Sequence, residues 1–188
     1  IYTISDTLSL HDALPISSIF YSTQEEQELI ASNIKKMLND RGVKTNINLL
    51  SVIKNHLITV DNDFLIGYLN DSKMNSINNV KQSYSGGIII WDCSKNIAPD
   101  EKYYNMNIDT FNKNEFYINL VSSCYVPKHQ IVNKLEVLKN YPNILENDFP
   151  VIMWYDPVMR YYGGRKGDMV KIERHTESGI NNYYRICK

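Results

Sequence analysis

The sequence predicts an α+β fold of two units: an N-terminal α/β domain over residues 18–124 and a small β-rich C-terminal module with short helices over residues 125–188. Two observations predict this division. The first part alternates amphipathic helical segments with short apolar runs, which is typical of a mixed sheet with helices packed on it. The end of the chain instead alternates apolar and charged residues, as a half-buried strand does, after one short helix signal.

The N-terminal unit is predicted to open with an amphipathic helix. Thr23 and Glu26 have the spacing of a capping box, and apolar residues follow at helical intervals as far as Leu38. Gly42 suits the left-handed position just past the last turn. Arg41 is expected to lie against the carbonyl end of the helix dipole, where a positive charge is stabilising.

The rest of the N-terminal unit is predicted to contain strands, helices and a loop. In chain order these are a helix over residues 47–57 capped by Asn46, a strand over 64–69, a helix through Met74, Ile77, Val80, Lys81 and Tyr84, a strand over 88–91, a loop with a short helix over 98–112, and a strand over 116–121. The apolar run 88–91 is expected to be covered on both faces, because it contains no polar residue.

The C-terminal module is predicted to combine helices and antiparallel strands. Its elements are a linker helix of about three turns over residues 130–141, a buried strand over 149–153, a helix from Asp156-Pro157 to Gly163-Gly164, a strand from Met169, and a return strand over 182–186. Asp156 can accept from the free amides of the first helical turn, and Pro157 loses no hydrogen bond there. Val170 and Ile172 are expected to share one face of their strand.

Composition excludes several classes of protein. No apolar run approaches the roughly 18 residues that cross a bilayer, so no membrane partner is expected. Cys93, Cys124 and Cys187 are odd in number and far apart, which argues against a disulfide framework or a zinc site and favours a reducing compartment. Net charge is −1, although residues 150–188 hold seven Lys or Arg against four Asp or Glu. That bias is too mild to establish nucleic-acid binding.

Residues 1–17 differ in character from the rest of the chain. The sequence does not begin with Met, and IYTISDTLSLHDALPIS is similar to translated sequencing-adapter read-through. We expect this segment to be non-native and to contribute nothing to the fold.

The C-terminal unit carries a specific series of motifs. Val126-Pro127-Lys128-His129 is followed, over residues 155–188, by YDPVMRYYGGRKGDMVKIERHTESGINNYYRICK. In their order and spacing, these motifs resemble the C-terminal module of the fifth subunit of eukaryotic nuclear RNA polymerases, which has a smaller counterpart in the archaeal enzyme. Before residue 126 the resemblance is mostly in the order of elements, to a jaw domain with a restriction-endonuclease-like arrangement.

The resemblance implies a non-catalytic subunit of a multisubunit DNA-directed RNA polymerase, with no catalytic residue, cofactor or metal of its own. Its expected partners are the largest subunit, on which the C-terminal module docks, the other polymerase subunits, and downstream duplex DNA near the jaw. The residues expected to form the assembly or DNA-proximal surface are Pro127, His129, Asp156, Pro157, Arg160, Arg165, Lys166, Gly167, Val170, Lys171 and Arg174. The apolar residues would hold the fold, and the basic ones would meet acidic groups or DNA phosphate. His129 would form a hydrogen bond between the two units, or none.

Two alternative functions remain open. Asp61 or Asp63, followed by Asp71-Ser72-Lys73, loosely fits the pattern with which endonuclease-fold nucleases hold Mg²⁺ and orient a water. A second such triplet, Asp100-Glu101-Lys102, shows that the pattern arises readily by chance. The other alternative is a stand-alone nucleic-acid-binding module, which would bind duplex DNA with strong salt dependence.

Departures from the nuclear pattern, together with a composition rich in Asn, Ile, Lys and Tyr, favour a large DNA virus of the cytoplasm as the source, with a divergent protist as the alternative. The expected location is therefore the host cytoplasm or the virion in the first case, and the nucleus in the second.

Overall fold

The computed structural model describes residues 23–73, 84–177 and 179–188. The helices in these ranges are α1 (Thr23–Asp40), α2 (Leu49–Asn55), α3 (Glu101–Asn105), α4 (Lys134–Asn140) and α5 (Pro157–Tyr162). The strands are β1 (Ile58–Asp61), β2 (Phe64–Asn70), β3 (Gly86–Asp92), β4 (Ile108–Asn112), β5 (Lys128–Val132), β6 (Val151–Ile152), β7 (Met169–Thr176) and β8 (Gly179–Cys187). They form two four-stranded sheets, which confirms the predicted α+β class.

Two predictions lie outside the described residues. They are the non-native segment 1–17 and the helix through Met74, Ile77, Val80 and Lys81. None of the helices in the described ranges combines the length and apolar character required to cross a bilayer.

The first sheet has the strand order β1-β2-β3-β4. β1 is antiparallel to β2, whereas β2, β3 and β4 run parallel. α1 and α2 cover one face, where Ile34 and Ile53 pack against Ile88 and Ile90. On the other face Ile89 packs in a second apolar cluster. The apolar run of β3 is thus covered on both faces, as its composition predicted.

α1 begins and ends where its capping signals predicted. Its buried side consists of Ile30, Ala31, Ile34, Met37 and Leu38. The helix ends at Asp40, and Gly42 follows with φ +74°. A residue with a Cβ is strained in that left-handed conformation, so glycine suits the position.

Four assignments in the first unit differ from prediction. The strand predicted over residues 116–121 is wrong: this stretch lies in two 3₁₀ turns, Lys113–Phe116 and Leu120–Ser122. The fourth strand is β4, which was predicted as loop, and β1 was not predicted. α2 starts two residues late, because Asn48 rather than Asn46 accepts from the amide of Ser51.

The second sheet has the strand order β5-β7-β8-β6. β5 and β8 flank β7 antiparallel to it, and β6 joins β8 in parallel. α5 covers one face, where Met159 packs against Val170 and Ile172. Val137 of α4 and Phe149 cover the opposite face, against Met169 and Ile186. Both faces are therefore buried near the start of β7.

The predicted linker helix over residues 130–141 is wrong in its first half. Lys128–Val132 is an edge strand, and the helix starts only at Lys134, where the side chain of Asn133 accepts from the amide of Leu135. The predicted strand over residues 149–153 shortens to β6. α5 is confirmed, with Asp156 accepting from the amide of Val158 at 2.8 Å.

Candidate functional site

A buried cluster of arginines and carboxylates joins the two sheets, and we call it the junction. Its centre is Asp109 of β4, whose side chain is 1% exposed. Arg41, which follows α1, approaches the Asp109 Oδ2 with its Nη1 at 3.0 Å. Arg165, which follows α5, approaches the Oδ1 with its Nη1 at 2.6 Å. One carboxylate therefore pairs with arginines from both units, and its charge is compensated without water.

A third arginine, Arg160 of α5, binds the first unit beside this centre. Its Nη2 lies 2.6 Å from the Glu115 Oε2, and its Nη1 donates to the backbone carbonyl of Thr110 at 2.8 Å. The guanidinium lies 5.0 Å from the centre of the Phe111 ring. Because Thr110 belongs to β4, at the edge of its sheet, Arg160 satisfies an acceptor that strand pairing leaves open.

Arg41 also caps α5 from outside that helix. Its Nε donates to the carbonyl of Tyr161 at 2.8 Å, and its Nη2 donates to the carbonyl of Arg160. The last carbonyls of a helix have no partner within it and carry partial negative charge, so a guanidinium is a favourable partner. Arg41 was predicted to stabilise the end of its own helix, and the structure shows it bonded to the end of another.

Further contacts surround the junction. The Tyr161 hydroxyl donates to Asp40 at 2.6 Å, and its ring is part of the core of the first unit. At the solvent-facing border, the Lys166 Nζ lies 2.6 Å from Glu101. Trp154 and Tyr104 pack across the boundary, with ring centres 4.5 Å apart. The two sheets are therefore joined by apolar as well as charged contacts.

Burial controls the ionisation of the junction. Burial lowers the pKa of Arg41, and the neighbouring Asp109 carboxylate raises it in partial compensation. Burial also raises the pKa of the Tyr161 hydroxyl, and the hydrogen bond to Asp40 adds to that rise. Tyr161 is therefore a permanent donor, and no proton is available there for chemistry at neutral pH.

A second feature is a patch on the second sheet that we call the basic face: His129, Arg174, Tyr183 and Arg185. The strand register places His129 and Tyr183 opposite Ile172, and Arg185 opposite Val170, so these residues share one side of the sheet. The Arg174 guanidinium lies 5.5 Å from the centre of the Tyr183 ring. In the described part of the chain, no carboxylate lies within ion-pair distance of Arg174 or Arg185.

His129 is the half-buried member of the basic face. Its Nδ1 lies 2.6 Å from the carbonyl of Pro127, which places the proton on that nitrogen. Burial lowers the pKa of His129, and the positive charges of Arg174 and Arg185 add to the effect. Its partner lies two residues away, so the predicted hydrogen bond between the two units is wrong.

The predicted surface residues separate into groups with different environments. Arg160, Arg165 and Lys166 contact the first unit, so their predicted contact with a partner is wrong for the buried Arg160 and is replaced by internal ion pairs for the other two. Val170 is buried in the core. Asp156, Pro157 and Gly167 shape the backbone around α5 and the turn before β7. Pro127, His129, Lys171 and Arg174 lie on the second sheet, with Lys171 paired to Glu173 on the face opposite the basic face.

Sequence reasoning missed the central residues of the junction. Asp109 and Glu115 were not singled out, because each is a lone acid in a stretch assigned as loop or strand. Arg185 was noted only as part of a motif. The available signal was the alternation of Ile108, Thr110 and Asn112 around Asp109 and Phe111, which is typical of a strand.

The geometry does not support the nuclease alternative. Asp61 and Asp63 lie at one end of β2, where they accept from the amides of Asn46 and Ser85. Asp71 follows the other end of this seven-residue strand, roughly 20 Å away. The Lys73 Nζ donates to the carbonyls of Asn55 and His56. Within the described ranges, no three His, Cys, Asp or Glu side chains are grouped so that they could hold a metal ion.

Comparison with known proteins gives a family match in the second unit. Residues 118–187 match the family described as RNA polymerase Rpb5, C-terminal domain. The chain is 38% identical over 86 residues to DNA-directed RNA polymerases I, II, and III subunit rpabc1 of Dictyostelium discoideum, covering 44% of this chain and 43% of that protein. It is 43% identical over 65 residues to DNA-directed RNA polymerase subunit Rpo5 of Nitrosopumilus maritimus (strain SCM1), covering 32% of this chain and 77% of that protein. The match thus spans less than half of the Dictyostelium protein and most of the archaeal one.

Proposed function

Because this chain belongs to the family of RNA polymerase Rpb5 C-terminal domains, we propose that it is a non-catalytic subunit of a multisubunit DNA-directed RNA polymerase. The observation that carries the proposal is the family match over residues 118–187, which includes β5 to β8 with α4 and α5. Both relatives are named as subunits of DNA-directed RNA polymerases. RNA synthesis would then be the chemistry of another chain in the complex.

The C-terminal module would dock on the largest subunit through the basic face. Arg174 is exposed, and nearly half of the Tyr183 side chain is accessible. Arginine and tyrosine contribute strongly to protein interfaces, because each offers a large contact area and a directed hydrogen bond. The opposite face offers less charge, since Lys128 and Lys171 both pair with Glu173. An acidic segment of the largest subunit therefore fits the basic face best.

The N-terminal unit would lie near downstream duplex DNA, as the resemblance to a jaw domain implies. The junction supports this role, because it joins the first sheet to the docking module by contacts with Arg41, Arg160 and Arg165. Docking would then place both units. The chain would act where its polymerase acts: in the host cytoplasm or virion if the source is viral, and in the nucleus if it is a divergent eukaryote.

The proposal is tested by co-expressing the chain with the largest polymerase subunit encoded by the same genome. Arg174→Ala and Arg185→Ala should each weaken binding by roughly 10- to 100-fold, the range expected of arginines at the centre of an interface. The matched control is Lys128→Ala on the opposite face, which should bind as the wild type does. Equal binding by all four proteins would refute the assignment of the basic face.

A duplex-binding titration separates the polymerase subunit from a stand-alone nucleic-acid-binding module. The isolated chain should bind a fluorescent DNA duplex feebly, because the few cations of the basic face neutralise few phosphates. Tight binding that weakens steeply with salt would favour the stand-alone module instead.

A further inference from the structure

We propose that Asp109 is a positioning residue that fixes the two units of the chain in one orientation, so that the first sheet moves with the docking module. The test of this coupling uses the isolated chain and does not depend on the proposed function. If the proposed function is correct, the coupling determines where docking places the N-terminal unit.

Both oxygens of the Asp109 carboxylate are occupied by different units. Arg41 binds Oδ2, while Arg165 binds Oδ1 at 2.6 Å and reaches Oδ2 at 3.3 Å. The side chains of Arg41 and Asp109 are 6% and 1% exposed. Water therefore cannot replace either partner unless the units separate, and separation would leave charges buried without compensation.

The contacts of Arg41 make the coupling directional. Its guanidinium binds both Asp109 and the last carbonyls of α5, so it links α1, β4 and α5 in one hydrogen-bonded group. A planar guanidinium has donors at fixed angles, and this geometry restricts rotation as well as distance. The surrounding apolar contacts, such as Tyr161 in the core of the first unit, have no comparable angular preference.

The chain connection alone would allow other orientations. The segment between β4 and β5 contains two 3₁₀ turns, at Lys113–Phe116 and Leu120–Ser122, and no longer regular element. Short 3₁₀ turns with exposed neighbours open at low free energy. Relative orientation is therefore determined by the junction, with Asp109 as the group that both units share.

The test is amide hydrogen exchange on the full chain with Asp109→Asn. Asparagine keeps the shape but turns an amide donor toward an arginine donor. Exchange in β4 and α5 should accelerate roughly 100-fold, the effect expected when one partner of a buried ion pair is lost. The amides of β7 and β8 should keep their wild-type rates, and ¹⁵N relaxation should show the two units tumbling separately.

The matched control is Glu101→Gln, which removes the exposed Lys166 ion pair across the same boundary and should leave exchange within a few-fold of wild type. If Asp109→Asn does not fold, Arg165→Met provides the milder change, because the Arg165 side chain is 27% exposed. Unchanged exchange at the junction, or units that still tumble as one body, would overturn the proposal.

Discussion

Replacing Arg160 by methionine should destabilise the protein far more than replacing its neighbour Lys166. Arg160 is 7% exposed and binds Glu115 and the Thr110 carbonyl, whereas Lys166 is 46% exposed and pairs with the 59% exposed Glu101. Methionine fills much of the same volume in both variants. The comparison therefore isolates the effect of a buried charge from that of an exposed one.

The structure gives the size of the difference. Removing one partner of a buried ion pair costs about 3–5 kcal/mol, because the other partner remains buried and charged. Glu115 is 28% exposed and regains some water, which places Arg160→Met near the low end, at about 3 kcal/mol. An exposed pair contributes about 0–1 kcal/mol, so Lys166→Met should stay below about 1 kcal/mol.

Urea unfolding followed by far-ultraviolet circular dichroism measures both variants. A loss of about 3 kcal/mol lowers the midpoint by about 1–2 M when the urea dependence is about 2 kcal/mol/M. In thermal unfolding it lowers the Tm by about 6–12 °C for a chain of this length. A loss below about 1 kcal/mol for Arg160→Met, or equal losses in the two variants, would refute the buried ion-pair reasoning.

Two further predictions concern titration. Burial raises the pKa of Cys93 and of Cys187 to about 11, so at pH 8 only about 0.1% of each is thiolate. Iodoacetamide followed by mass spectrometry should label the exposed Cys124 first, and equal labelling of Cys187 would contradict its burial. Because burial lowers the pKa of His129 below its ordinary value of 6.5, the folded state favours the neutral ring, and stability is lost as pH falls from about 6.5 through the lowered pKa. His129→Gln should flatten that pH dependence in urea unfolding, and an unchanged slope would show that another group causes it.

Local signals predicted the elements that local chemistry determines. α1 has a capping box and a terminal glycine, α5 starts at Asp156-Pro157 and ends at Gly163, and β3 is a continuous apolar run. Each of these signals lies within the element itself. The family motifs of the second unit were likewise readable, because they form one continuous stretch of the chain.

The junction could not be predicted, because its residues are brought together only by the tertiary fold. Arg165 lies 56 positions from Asp109, and Arg160 lies 45 positions from Glu115. Charged residues are exposed by default, so the basic groups of α5 were assigned to an outer surface. Burial of Arg160 is tolerated only because Glu115 and the Thr110 carbonyl meet it there, and no local pattern shows that pairing.

β5 was missed for a related reason. Ile131, Leu135 and Leu138 recur at helical spacing, which predicted one helix across residues 130–141. Pairing of β5 with β7 overrides that periodicity, since it satisfies the backbone and buries part of Val132. Asn133 with Glu136 three residues later was the local signal for the later helix start.

Co-expression of the wild-type chain with the largest polymerase subunit of the same genome tests the central claim most directly. Size-exclusion chromatography of the affinity-purified material measures whether the two proteins form one complex. We expect them to elute together in equal amounts and to stay together at moderate salt. Elution of the 21.9 kDa chain alone, with the largest subunit folded in a separate peak, would contradict its assignment as a polymerase subunit.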